Sequence, residues 1–246
     1  MQADIKTFSA LGVYGLTAVT CVVAEVPGKV TRIQAVEEAV VDEQVRLLLG
    51  AFPVVAVKTG MMWSGGIIRG VARLLASIPE DRRPWLVVDP VMVATSGDAL
   101  IEEDAVVAYR EALFPLADVI TPNMDEAAAL LGREVRRDEE LEAAARDLMA
   151  RLGAPVLLKG GHLRGGTARD VFQPREGPSQ SFAAPYVHGV STHGTGCTFS
   201  AAIAASLARG LSMPEAIGTA KSYVSKAIRT LCRWNDVDAL NHSALK

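Results

Sequence analysis

The stretch Ser191-Thr-His-Gly-Thr-Gly-Cys197-Thr runs straight into an alanine-rich segment, Phe199 to Arg209. Two glycines one residue apart let a backbone turn tightly and bring its N–H groups close to a ligand. The run after them has helical composition. These N–H groups therefore lie at a helix start, where unpaired donors and the helix dipole favour an anion. Cys197 falls in the first turn, a setting that lowers a thiol's pKa and favours the thiolate. An anion cradle with a base inside it suits phosphoryl transfer. A second reading stands beside it on spacing alone: a glycine turn before a core helix, with Cys197 as a small buried hydrophobe.

Other reactive residues follow short apolar runs. They are Glu25, Lys58-Thr-Gly-Met61, Asp89, Thr121-Pro-Asn123-Met-Asp-Glu126 and Lys159-Gly-Gly-His162. Each has an innocent reading. Asn123 is a natural helix N-cap, Lys159 and Asp98 are solvated loop charges, and Val23, Met61 and Val91 are core packing. No Walker loop occurs and no G-x-G-x-x-G follows a strand, so P-loop and nicotinamide dinucleotide readings lose support.

The elements between these groups decide whether they meet. Apolar runs rich in β-branched residues at 16–24, 54–58, 85–89, 117–120 and 155–159 read as strands. Segments of helical period occupy 2–11, 36–50, 65–77, 102–114, 123–131, 138–152, 197–209 and 214–231, with Gly210 placed to end the seventh. The strands are continuously apolar, as when helices cover both faces of a sheet. This alternation predicts a doubly wound, mostly parallel α/β sheet in one domain spanning residues 1–246. Two strand-like pieces, 168–172 and 181–184, predict an antiparallel hairpin at the sheet edge, and the tail after Trp234 reads as irregular. In such a sheet, ligands sit at the carboxyl ends of the strands. The reactive groups then share one rim.

Composition narrows the function. The chain has 246 residues, half of them hydrophobic, and a net charge of −3 with its basic residues scattered, which argues against a nucleic-acid partner. Three cysteines far apart outline neither a disulfide framework nor a zinc site. No apolar run is long enough to span a bilayer. Leu16 to Ala24 has the look of a signal-peptide core, but Asp4 sits where a basic leader belongs. A soluble cytoplasmic protein with no membrane partner is the expectation.

Taken together, these segments resemble the ribokinase-like small-molecule kinases. Within them the chain is most similar to the hydroxymethylpyrimidine/phosphomethylpyrimidine kinases of thiamine biosynthesis. The resemblance is carried by Gln2 to Gly15, Lys58-Thr-Gly-Met61, Val88-Asp-Pro-Val-Met92 with Ser96-Gly-Asp98, and Thr121 to Ala127. Leu158-Lys-Gly-Gly-His162 and His193-Gly-Thr-Gly-Cys-Thr198 complete it, in family order and across all but the tail. Most ribokinase-like enzymes carry Asp in the glycine loop, so Cys197 marks a subgroup.

The resemblance implies an ATP- and Mg²⁺-dependent kinase of a small pyrimidine alcohol, acting as a homodimer. Gly194, Thr195 and Gly196 would offer N–H groups to the transferring phosphoryl, and Cys197 would take the hydroxyl proton. The helix terminus would lower a thiol that ordinarily titrates at ~8.5. Asn123 and Lys159 would meet the nucleotide. Glu126 and Asp89 would attend the magnesium, partly through water. Asp4, Val23, Glu25, Met61 and Val91 would line the pyrimidine pocket, and His193 and His162 would be scaffolding.

Two departures bear on these expectations. The family's opening strand, expected inside the sheet, and its Ser-Gly-Gly-Ala-Gly loop have no counterpart, and Met1 falls where that loop passes into the first helix. A start codon placed too far downstream is the favoured explanation over a weakened product. Glu25 stands where these enzymes usually carry Gln; a carboxylate accepts from an exocyclic amino group but does not donate unless protonated. The rival readings are a pyridoxine/pyridoxal kinase, a non-catalytic ligand-binding relative, and a cysteine hydrolase using Cys197 as nucleophile.

Overall fold

The computed structural model describes residues 1–26, 29–92, 103–161, 166–189, 194–235 and 237–243. Asp98, His162 and His193 lie outside them. In chain order the elements are α1 (Gln2–Ala10), β1 (Cys21–Val26), β2 (Lys29–Ala35), α2 (Glu38–Ala51), β3 (Ala56–Thr59), α3 (Gly65–Ala76) and β4 (Trp85–Val88). Then come α4 (Glu103–Ala108), β5 (Val119–Ile120), α5 (Met124–Leu131), α6 (Leu141–Leu152), β6 (Val156–Lys159), β7 (Thr167–Gln173) and β8 (Gln180–Pro185). The chain closes with α7 (Thr195–Ala208), α8 (Met213–Arg229), β9 (Cys232–Trp234) and β10 (Val237–Ala239).

Six strands form one sheet in the order β3-β4-β5-β6-β7-β8. The first four are parallel, and β7 and β8 are added antiparallel. The expected edge hairpin is therefore present. The strands are apolar throughout because neighbouring residues feed two different cores. Leu86, Val88, Ile120, Val156 and Leu158 pack into a core shared with α3 and α6. Val87, Val119 and Leu157 face the other way, onto α7 and α8. Ordered this way, the sheet brings the ends of β3, β4, β5 and β6 to one rim.

Other boundaries follow local chemistry. Residues 103–116 start as α4, widen into a single π turn at Tyr109–Leu113 and tighten at Phe114–Leu116, where Pro115 removes a donor. Gly210 is left-handed (φ 86°) just past α7, as a helix stop requires. Residues 138–140 form a 3₁₀ turn ahead of α6 rather than its first turn.

Two expectations are corrected. The strand placed at 16–24 is not in the main sheet. Cys21–Val26 pairs antiparallel with Lys29–Ala35 in a separate two-stranded sheet, with a register shift between Ala24 and Glu25. Residues 13–20 carry no ladder, and the Gln44 side chain takes over at Val19, accepting its N–H at 2.9 Å and donating to its carbonyl at 3.1 Å. Among the described residues, β3 pairs with β4 alone. The tail read as irregular after Trp234 holds one short strand, Val237–Ala239, paired antiparallel with β9.

Gly160 shows why glycine is needed after β6. A Cβ there would stand 2.3 Å from the Arg169 carbonyl oxygen and 2.8 Å from a Leu141 methyl. Neither backbone nor core can yield cheaply, and overpacking of this kind costs about 1–3 kcal/mol. Gly160→Ala should therefore lower Tm by roughly 5 °C in a calorimetric scan. An unchanged Tm would mean that β6 and β7 separate more easily than their register implies.

Candidate active site

The rim opens into a cavity of about 1040 Å³. Its walls include Gly194, Thr195, Gly196 and Cys197 from the start of α7, and Asp89, Val91, Asn123, Glu126 and Lys159 from the strand ends. Asp4, Val23, Glu25 and Met61 complete the set. The thirteen residues assigned a catalytic, binding or metal role from the sequence thus line one cavity.

At the glycine turn, Gly194 is the N-cap residue and is left-handed (φ 80°), a conformation that costs little only without a Cβ. Its carbonyl accepts both the Thr198 N–H (3.0 Å) and the Thr198 hydroxyl (2.8 Å). A Cβ on Gly196 would lie 3.2 Å from Lys159 Nζ. The bare glycine is what lets the ammonium approach the turn.

The charges form a lattice around Asp89. Lys159 Nζ donates to Asp89 Oδ1 at 2.8 Å, and the Thr121 hydroxyl donates to the same oxygen at 2.9 Å. Ser200, one turn beyond Gly196 on α7, places its hydroxyl 3.2 Å from Asp89 Oδ2. Burial works against the Asp89 carboxylate, but Lys159 and Lys58 outweigh it and hold its pKa below the ordinary value. Lys159 is likewise opposed by burial, yet Asp89 and Glu126 keep it firmly protonated. Removing one partner of so buried a pair leaves an uncompensated charge, at about 3–5 kcal/mol.

Asn123 caps α5. Its side-chain oxygen accepts the Glu126 N–H at 2.9 Å, while Glu126 Oε2 accepts the Asn123 N–H at 2.8 Å. This reciprocal box satisfies two helix-start donors, so the cap reading of Asn123 holds alongside any role toward a ligand. A bridge between Asn123 and Lys159 brings the two motifs side by side. Burial lifts Glu126 to about 7, with Lys159 pulling it down and Asp89 pushing it up.

Cys197 departs from expectation. Lys58 pulls its pKa down, but burial together with Asp89 and Asp4 outweighs that pull, and the thiol titrates above its ordinary value. The helix terminus alone does not generate a standing thiolate.

Lys58 itself carried no assigned role in the sequence, although its motif stood out at the end of a strand. Its side chain is 4% exposed and its Nζ lies 3.1 Å from Asp4 Oδ1. Burial opposes its charge, but Cys197, Asp4 and Asp89 more than restore it. Asp170 and Lys221 also line the cavity, paired at 2.7 Å across 51 residues of sequence, with Asp170 Oδ1 accepting the Gly160 N–H at 3.1 Å. No local spacing announces such a pair. Ser200 was equally silent, whereas the buried Thr59 hydroxyl, unpartnered among the described residues, lies inside the Lys58–Met61 motif.

A parallel α/β sheet whose strand ends surround a glycine turn at a helix start defines a ribokinase-like phosphotransferase. The phosphomethylpyrimidine kinase profile matches residues 1–240, and the chain belongs to that family. The hydroxymethylpyrimidine/phosphomethylpyrimidine kinase of Rhizobium meliloti is 44% identical over 229 residues, covering 93% of this chain and 84% of the relative. Among solved structures, an ADP complex of Bacillus subtilis pyridoxal kinase superposes with a TM-score of 0.89 at 35% identity, covering 100% of this chain and 92% of the other. Phosphomethylpyrimidine kinase from Clostridium difficile gives 0.77 at 33% identity, covering 92% of each chain.

Proposed function

We propose that this chain, as a single domain, moves the γ-phosphoryl group of ATP onto the hydroxymethyl oxygen of 4-amino-5-hydroxymethyl-2-methylpyrimidine. It then phosphorylates the resulting monophosphate. The observation that carries this reading is the convergence of the Gly194–Cys197 turn with the Asp89–Lys159 pair on one cavity. Phosphoryl transfer through a loose transition state needs positioning and charge stabilisation more than covalent chemistry. The turn supplies amides where charge develops, and Lys159 supplies a buried cation beside Gly196.

As the alcohol oxygen bonds to phosphorus and the bond to the ADP oxygen breaks, the alcohol proton passes to the Cys197 sulfur, which must enter the step as thiolate. Lys58 is the nearby cation that favours that form. Val23, Met61 and Val91 offer apolar walls to the ring, and Glu25, near the rim on β1, an acceptor for its amino group.

The donor set fits magnesium. Asp89 and Glu126 are close enough to perturb one another, and magnesium is ordinarily held by one or two carboxylates with substrate phosphates and water. Among the described residues no group of three or more acidic, His or Cys side chains is arranged to hold an ion unaided. The ion would neutralise charge on the phosphates. Asp89 and Glu126 would hold it, and Asn123 would face the nucleotide.

A second reading, pyridoxal as the alcohol, is favoured by the close superposition on the Bacillus subtilis enzyme. Parallel steady-state assays separate the two. The pyrimidine should show the higher kcat/KM by at least tenfold; a higher value for pyridoxal would reverse the assignment. Pairing of two copies through the β1–β2 sheet, where Val22 and Val26 are exposed, belongs to the same proposal. So does a cytoplasmic setting, supported by three unpaired cysteines. No helix among the described residues is long and apolar enough to cross a membrane.

A further inference from the structure

Thr198 follows Cys197 directly, and its hydroxyl does two things. It donates to the Gly194 carbonyl at 2.8 Å, and it lies 3.1 Å from Nε2 of His242, 44 residues away in the tail. A hydroxyl has one proton. With that proton on the Gly194 carbonyl, the ring is the donor at Nε2. The tail is in turn fixed to α8: Tyr223 donates its hydroxyl to the His242 carbonyl at 2.8 Å, and the Asn241 N–H meets the Ala227 carbonyl at 3.3 Å. Burial and Lys6 push the His242 ring below its ordinary pKa, against the Leu240 carbonyl and Asp4. The charged ring donates at both nitrogens; the neutral ring has one N–H and donates to Thr198 in the Nε2–H tautomer.

The Gly194 carbonyl belongs to the same peptide plane as the Thr195 N–H. In a trans peptide the two groups point in opposite directions. Holding the carbonyl down along α7 therefore aims the amide out of the helix end, where an anion would sit. We propose that His242 is a positioning residue for the anion cradle, acting through the Thr198 hydroxyl on the Gly194–Thr195 peptide. A glycine at 194 has no side chain to resist rotation of that plane, so its hold comes from the Thr198 N–H and from the hydroxyl that His242 fixes. The proposal rests on the kinase reading for its ligand, not for its geometry.

A double-mutant cycle over His242→Ala and Thr198→Val tests it, with His242→Gln as the conservative replacement that keeps a donor near the Nε2 position. Two quantities are read: kcat for the pyrimidine alcohol, and affinity for ADP with aluminium fluoride measured against ADP alone. His242→Ala should lower kcat about tenfold, the scale of one hydrogen bond, with KM for the alcohol within about twofold. It should weaken aluminium fluoride binding but not ADP alone. Gln should restore most of the loss, and the double variant should be no worse than Thr198→Val. Additive losses, or a lower Tm with both readouts unchanged, would overturn the brace. A native enzyme that binds the fluoride complex with these same dependences but transfers no phosphoryl group would support the brace and sink the kinase reading alone.

Discussion

Cys197→Ala is expected to lower kcat by a factor on the order of 10² to 10⁴, the usual contribution of a positioned proton acceptor, while ADP affinity stays within about twofold. The pH dependence is the sharper part. The thiol's pKa is raised by burial, Asp89 and Asp4 against the pull of Lys58. At neutral pH the active form is therefore the minor one, and its fraction grows with pH until the pKa is passed. The native kcat/KM should rise close to tenfold per unit from pH 7 upward. Cys197→Asp, whose carboxylate is ionised across this range, should flatten the profile at whatever activity it retains. A native profile already flat between pH 7 and 9 would exclude Cys197 as the base.

The second large effect concerns Glu126. Its carboxyl is lifted to about 7, chiefly by burial. An acid held this way binds its proton more tightly in the folded chain than in the unfolded one. Its contribution favours folding at low pH and is lost as pH climbs from the ordinary carboxylate range to about 7. Above that, the ionised group weighs against the fold by something on the order of 3 kcal/mol. Glu126→Gln keeps an acceptor for the Asn123 N–H but has no charge to bury, so Tm at pH 8 should rise by a few degrees. In the same variant the magnesium concentration for half-maximal rate should increase severalfold. A variant that is both less stable at pH 8 and unchanged in its magnesium dependence would remove Glu126 from both roles.

How far the residues announced this can be judged from particular cases. Met61, Asp89, Val91, Asn123, Glu126 and Lys159 share a cavity because each sits in or beside a motif at the end of a main-sheet strand, and the rule that ligands bind there is topological. Glycines 194 and 196 were legible for another reason: their spacing encodes a turn. What stayed hidden was pairwise and long-range. Lys221 on α8 and Asp170 on β7 carry no signature until the sheet places them together, and Ser200 reads as an ordinary polar residue in an alanine-rich helix.

The strand expected at 16–24 went wrong because apolar, β-branched composition reports extended backbone, not its partner. Cys21–Val26 is extended, but its neighbour is β2 and not the main sheet. The thiol's pKa was misjudged because a helix terminus is visible in sequence, whereas the opposing Asp4 and Asp89 are assembled only by the fold.

The protonated sulfur has a chemical corollary outside turnover. Peroxides and electrophilic drugs attack thiolates, so a thiol held neutral behind Lys58 and Asp4 should resist sulfenic acid formation and adduct capture while the pocket is empty. Cys21 lines the same cavity and its thiol is likewise raised by burial, so it should share that resistance.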